Sequence, residues 1–259
     1  MMSLNKWFDI ALSYSKKRTL LECPHKYELQ YIRKVQPRAE ERRFILPNSV
    51  DGGLNLWIKQ GFQGALVEHV LIEFDKKAES VTLRWRDGED KPTLRNEAIS
   101  TAAILEKVMR ENGLCPSAGA ISQKYIKVAV NDILITGYMD VYYKIEHEIY
   151  DLKTTKDKKW LDWNQLYFYD WAASIMMGRK IKKVGFLAPL MREPVQTKVV
   201  GKEEWGKVIN EINVAVKLME GKEFPATGDP SKDCYMCLLK FACTKYNRPI
   251  NVQNGVVSL

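Results

Sequence analysis

Hydrophobic positions change their period along this chain, and each change predicts a different kind of element. From Ser15 to Tyr31 apolar side chains recur at helical spacing, with a break at Cys23-Pro24, where the proline ring ends one helix and favours the first turn of the next. The charged stretch from Gln36 to Arg43 predicts a loop. Helical spacing returns over Asn48 to Gln60, stopped by Gly61, then over Gly64 to Lys77, and over Thr93 to Glu111, closed by Asn112-Gly113. Between the last two, Ser80 to Pro92 is polar and turn-rich.

From Ile121 the period drops to two. Strands are predicted near Ile121 to Val130 and Ile133 to Tyr143, joined at Asn131-Asp132, and near Glu148 to Thr154, which together make a meander. A helix from about Leu161 to Met177 stops at Gly178; strands near Ile181 to Leu190 and Val195 to Val200 follow, then a helix over Glu203 to Glu220. Helices, a meander, a helix, further strands and a helix predict an α/β core with a mixed β-sheet flanked by helices. No internal repeat is visible.

At 259 residues and 46% hydrophobic content the chain can bury a sizeable core. One domain is expected, with a mainly helical part over 1–113, a core over 120–220 and a cysteine-bearing segment over 221–259. A net charge of +8 favours a polyanionic partner, although solvated lysine faces produce the same excess. No apolar run approaches the roughly 20 residues of a membrane span, and the N-terminus lacks the pattern of a secretory signal. An intracellular, cytoplasmic protein without a membrane partner is therefore expected, with five cysteines serving as thiols or metal ligands rather than disulfides. Cys115, between Leu114 and Pro116, reads as packing. The phosphate-binding pattern G-x-x-x-x-G-K-[ST] is absent, so ATP-driven unwinding would fall to a helicase or recombination partner.

The chemistry concentrates in the meander. Asp151 and Lys153 are two apart on a predicted strand and emerge on one face. If the preceding hairpin turns on Ile145-Glu146 or Glu146-His147, Asp140 joins that face; an odd-length loop would break the parity. The apolar neighbours Ile149, Tyr150 and Leu152 predict a buried strand, where an aspartate and a lysine are costly unless paired or metal-bound. A strand salt bridge and a metal centre both satisfy that condition. Gln165 and Tyr169, four apart, share one face of the following helix.

Taken together, Gly137/Asp140, Asp151/Lys153 and Gln165/Tyr169 reproduce in order the G-x-x-D, D-x-K and Q-x-x-x-Y motifs of the RecB-like branch of the PD-(D/E)xK nucleases, which the chain resembles. The resemblance implies a restriction-endonuclease-like fold and divalent-metal hydrolysis of DNA phosphodiesters. Asp140 and Asp151 would bind Mg2+ or Mn2+, joined by the backbone carbonyl of Leu152. Lys153 would orient or activate the attacking water and offset the charge that develops on phosphorus, with no separate histidine base. Relatives commonly carry a histidine in a stretch resembling G-s-x-x-H. Here Pro47-Asn-Ser-Val-Asp51 stands in its place, so Asp51 is either a third oxygen ligand or a solvated acid near a helix start, with Glu68 and His69 as substitutes.

Cys234-x-x-Cys237 and Cys243 offer three thiolates to one metal, and the fourth ligand must come from elsewhere, from Cys23 or else from His25. One upstream and three terminal cysteines resemble the iron-sulfur RecB-like nucleases, CRISPR-associated and AddB-type, in which a 4Fe-4S cluster pins the termini; zinc also suits four thiols. This resemblance covers nearly the whole chain. Lys156, Lys158 and Lys159 could neutralise phosphates, and Trp160, Trp163, Tyr167 and Phe168 could stack on unpaired bases, or these rings could be helix core. The expectation is an exonuclease preferring single-stranded DNA or DNA ends, in recombination, repair, replication or phage DNA processing. The rival is an inactive nuclease fold used for DNA binding or as a scaffold.

Overall fold

Proline, glycine and capping acids set the ends of the elements. The computed structural model describes residues 11–36, 44–80, 90–116, 119–130, 133–221, 223–228, 234, 237–243 and 245. Helix α1 (Tyr14–Glu22) stops where Cys23 turns extended, at φ −157° and ψ 99°, and Pro24 opens α2 (Pro24–Tyr27). The break at Cys23-Pro24 is thus where the ring geometry requires it. A π-type turn over Glu28–Ile32 follows.

Three longer helices come next, α3 (Ile45–Lys59), α4 (Leu66–Ser80) and α5 (Lys91–Glu111). Helix α3 begins at Ile45 rather than Asn48 because a proline at position 47 still lies in the first turn, where its missing N–H is not needed. Helix α5 begins at Lys91 rather than Thr93 because Asp90 caps it, accepting from the Thr93 amide at 2.7 Å. Helices α3 and α4 approach closely at Gly53, where a Cβ would come within 2.6 Å of the Val70 Cα. All but Gln36 of the loop expected over Gln36 to Arg43, the Asn131-Asp132 junction and most of the Ser80 to Pro92 segment lie outside the described residues.

The sheet contains β1 (Ala120–Val130), β2 (Ile133–Tyr143), β3 (Glu148–Leu152), β4 (Lys183–Leu187) and β5 (Val195–Lys198), in that spatial order. All neighbours are antiparallel except β3 and β4, so the sheet is mixed. Helix α6 (Trp163–Met177) supplies the crossover that a parallel pair needs, and α7 (Lys202–Gly221) follows β5. Strand β4 is shorter than the apolar run suggested. The Ile181 amide donates to Ser174 Oγ and the Ala188 amide to the Pro194 carbonyl, so local turns hold both flanks.

One face of the sheet buries Val141, Tyr143, Tyr150, Leu152 and Leu187 against Leu54, Trp57, Val70 and Leu105 of α3, α4 and α5. Each such aliphatic side chain stabilises the fold by about 1.5–3 kcal/mol. Ile149 and Asp151 alternate with these positions and point the other way, toward α6. Strand β3 is buried along its whole length, so its polar side chains must find partners inside.

The chain forms two compact units, one over Met1–Tyr14 and Glu40–Ile209, the other over Ser15–Ala39 and Asn210–Leu259. The early helical segment therefore belongs with the C-terminal segment, and α3, α4 and α5 belong with the sheet. In the second unit the His25 amide donates to the Pro225 carbonyl at 3.2 Å, Tyr27 stacks on Phe224 and Lys17 pairs with Glu211. Among the described residues no helix is long and apolar enough to cross a membrane.

Candidate active site

The β2–β3 hairpin sets the first two acids. Tyr143 pairs with Glu148 across the turn Lys144 to His147, and the register Val141↔Tyr150 makes Asp140 and Asp151 the next facing positions. The even-length loop thus preserves the parity that puts both carboxylates on one face. Beyond that register the Leu152 amide donates to Asp140 Oδ2 at 3.0 Å. A side-chain carboxylate takes a strand amide and is thereby fixed between the strands.

Asp51 arrives from α3. Gln123 on β1 links it to the hairpin: its Nε2 donates to Asp51 Oδ1 at 3.3 Å and to Asp140 Oδ1 at 3.4 Å. Gln123 has φ +49°, a left-handed backbone that an ordinary strand residue avoids at a cost of order 1–3 kcal/mol. Nothing in the residue pattern of β1 signals this position. Sequence patterns miss it because its role depends on a local backbone distortion.

On the other side Gln165 of α6 joins the acid to the lysine. Its Nε2 donates to Asp151 Oδ1 at 2.9 Å and lies 3.3 Å from the Tyr169 hydroxyl, while its Oε1 accepts from Lys153 Nζ at 3.2 Å. One amide can serve both charges because it carries a donor and an acceptor. Lys153 Nζ also sits 2.5 Å from Asp151 Oδ2, an atom that is buried yet takes no well-formed hydrogen bond. The Tyr169 ring fills the space above Gly137, where a Cβ would lie 2.9 Å from Cε1. Gly137 and Tyr169 are thus coupled by direct packing.

Burial and mutual repulsion raise the carboxyl pKa values. Asp151 is pushed up to about 7, chiefly by burial and then by the charge of Asp140, with Lys153 opposing. Asp140 rises to about 6 through burial and the charge of Asp51, with the Leu152 amide opposing. Asp51 is raised by burial and by Asp151, against Lys77 and Lys153. For Lys153 burial works against the charge, but Asp151 and Asp140 outweigh it and its pKa stays above the ordinary lysine value. Three acids crowded around a cation want further positive charge. Among the described residues, however, no group of three or more His, Cys, Asp and Glu side chains is arranged as a ready metal site.

His69 does not join the acids: its ring nitrogens lie 3.0 Å from the Ala65 carbonyl and 2.9 Å from Gln60 Oε1. Lys156, Lys158, Lys159 and Trp160 are exposed after β3. Lys158 pairs with Glu193 and Lys159 with Asp157, and the Lys159 ammonium stands 5.5 Å from the Trp160 ring centre. Trp163 packs edge-on against Phe186 and lies 4.2 Å under the Lys198 ammonium. Phe168 is fully buried and belongs to the core.

In the second unit Cys23, Cys234, Cys237 and Cys243 are unbridged and half-buried. Burial pushes the Cys234 thiol up, and Cys237, Cys23 and Cys243 add to the shift, so each of those three lies within electrostatic reach of Cys234. The Cys237 amide donates to the Cys234 carbonyl at 3.2 Å and the Cys243 amide to the Lys240 carbonyl at 3.1 Å, but among the described residues, which include all four of these cysteines, no group of three or more is arranged as a ready metal site. His25 Nδ1 pairs with Glu28 at 3.1 Å, and its Nε2 is buried without a partner.

Among solved structures the chain is similar to a protein of Eubacterium rectale described as a "Putative exonuclease", at 14% identity over 95% of this chain and 91% of that one, with a TM-score of 0.57. A likeness at that identity concerns the fold. SSO0001 aligns more loosely, at 13% identity over 91% and 86% of the two chains and a TM-score of 0.40. No curated protein matches. The family model for the PD-(D/E)XK nuclease superfamily matches residues 11–244, a span that takes in the acids, the lysine and the cysteines, and the chain belongs to that superfamily.

Proposed function

We propose that this protein is a divalent-metal-dependent deoxyribonuclease acting as an exonuclease on single-stranded DNA or DNA ends. The observation that carries the reading is the Gln165 amide, which holds Asp151 and Lys153 together while Asp140 is fixed on the Leu152 amide and Asp51 is tied in through Gln123. A strand salt bridge alone would need neither the second and third acids nor the glutamine.

The residues fit a hard divalent cation. Oxygen donors on Asp51, Asp140 and Asp151, with the Leu152 carbonyl, are the ligands Mg2+ or Mn2+ prefers, and Asp151 Oδ2 is a buried oxygen with no well-formed hydrogen bond. When bound, such a cation supplies Lewis acidity toward a phosphoryl oxygen and makes water a better nucleophile near neutral pH. Lys153 stands beside Asp151, where its ammonium can orient a water and balance charge as it accumulates on the phosphate. Gln165 limits the swing of both side chains, and the Leu152 amide fixes the direction of Asp140.

Cys23, Cys234, Cys237 and Cys243 would hold a 4Fe-4S cluster, with zinc as the alternative, and so cross-link the two sequence segments of the second unit. Unwinding of duplex DNA would come from a partner helicase, and the pathway would be recombination, repair, replication or phage DNA processing. End-labelled single- and double-stranded DNA incubated with Mg2+, Mn2+ or chelator tests the reading. Metal-dependent release of short products from single strands is expected; a parent protein that cuts neither substrate with either metal would make it a non-catalytic nuclease fold.

A further inference from the structure

Tyr125 on β1 and Tyr138 on β2 face each other directly across the hairpin, with ring centres 4.8 Å apart and planes inclined by 37°. The pair still leaves 42% of Tyr125 and 54% of Tyr138 exposed. Cross-strand pairing needs the inner ring faces only. The outer faces remain as flat apolar surface on a basic protein.

Their position along the strands gives that surface a use. Tyr138 lies two residues before Asp140, and Tyr125 two residues after Gln123, the residue that holds Asp140 and Asp51. Two extended residues span about 7 Å, so Tyr138, and Tyr125 facing it across the hairpin, start within a nucleotide-sized step of Asp140. Two register steps outward, beyond Ile126↔Gly137, the exposed Lys127 pairs with Thr136. Acids, aromatic rings and an ammonium therefore succeed one another along one hairpin.

We propose that the Tyr125–Tyr138 pair is a stacking platform for an unpaired base next to the scissile phosphate, with Lys127 neutralising a flanking phosphate. The proposal rests on the nuclease reading and adds to it the requirement for an unpaired base. Stacking on aromatic faces tolerates any base but demands that the face be free, which duplex pairing prevents. A preference for single strands would then arise at the hairpin as well as from the exposed Trp160 after β3.

The test compares the parent protein with Tyr125→Leu/Tyr138→Leu and Tyr125→Phe/Tyr138→Phe, each checked for parental thermal midpoint. Kinetics on end-labelled oligothymidylate should show the leucine protein with KM raised about tenfold or more and kcat within about twofold, whereas the phenylalanine protein stays near the parent. A second readout is independent of cleavage: quenching of a single 2-aminopurine in the same oligonucleotide should be present in the parent and the phenylalanine protein and lost in the leucine protein. Unchanged KM and quenching in the leucine protein overturn the platform while leaving the nuclease reading intact. Should the leucine protein unfold, a phenylalanine protein with KM raised about tenfold or more overturns it equally, because the rings remain. A parent protein that quenches but does not cleave removes the nuclease reading and keeps the platform.

Discussion

Asp151 offers the most quantitative test of the site, through Asp151→Asn measured without metal. The carboxyl is 2% exposed and its pKa rises from an ordinary 3.8 to about 7, so the folded protein holds its proton more tightly than the unfolded chain does. A group shifted upward contributes stability that is complete below the unfolded value and is lost as pH rises through the folded one. With those two pKa values, the carboxyl should destabilise the parent by about 3 kcal/mol between about pH 5 and about pH 8.5, since each tenfold change in proton affinity is worth about 1.4 kcal/mol. Asparagine keeps the shape and the Gln165 contact but cannot ionise. Relative to the parent, the variant should therefore gain about 3 kcal/mol in urea unfolding with chelator present as pH is raised over that range. The competing influence is Lys153, whose ammonium lies 2.5 Å from Asp151 Oδ2 and favours the ionised acid. Parallel stability curves for parent and variant would mean that this pair dominates, and that burial of Asp151 carries no net penalty for a cation to relieve.

Lys153→Ala should lower kcat by at least about a hundredfold with single-stranded DNA binding retained, measured by initial rates and by filter binding. Asp51→Ala should raise the Mg2+ or Mn2+ concentration needed for half-maximal cleavage, and Asp51→His should recover much of the loss with a shift toward Mn2+, read from metal titrations. Gly137→Ala should destabilise the protein by about 1–3 kcal/mol in thermal unfolding and reduce cleavage, because the new Cβ would push at the Tyr169 ring from 2.9 Å. Cys23→Ser should lose as much iron as Cys243→Ser after anaerobic purification, determined by elemental analysis; stoichiometric zinc in the parent would select the zinc alternative.

Local chemistry made much of the site legible before any tertiary contact was known. Asp151 and Lys153 needed only the two-residue period of extended chain, although β3 ends at Leu152 and Lys153 follows it with its amide on the Leu187 carbonyl; Gln165 and Tyr169 needed only the helical turn, and Asp140 only an even hairpin loop. Proline and capping rules explain why α1 yields to α2 at Cys23-Pro24 and why Asp90 starts α5. The mixed sheet followed from the order of helices and strands, because a crossover helix between β3 and β4 makes a parallel pair possible.

Tertiary structure decided the rest, because packing over long sequence separations has no local period. The meeting of Asp51 with Asp140 depends on how α3 lies on the sheet and on a left-handed backbone at Gln123. Phe168, a possible stacking ring by its place after the lysines, is buried as core. Likewise the segment carrying Cys23 joins the C-terminal cysteines in one unit, while α3, α4 and α5 join the sheet. The sequence determined which residues could do the chemistry, since residue type and local geometry set that. Only the fold decided which of them meet, because their burial and mutual charge exist only once distant segments pack.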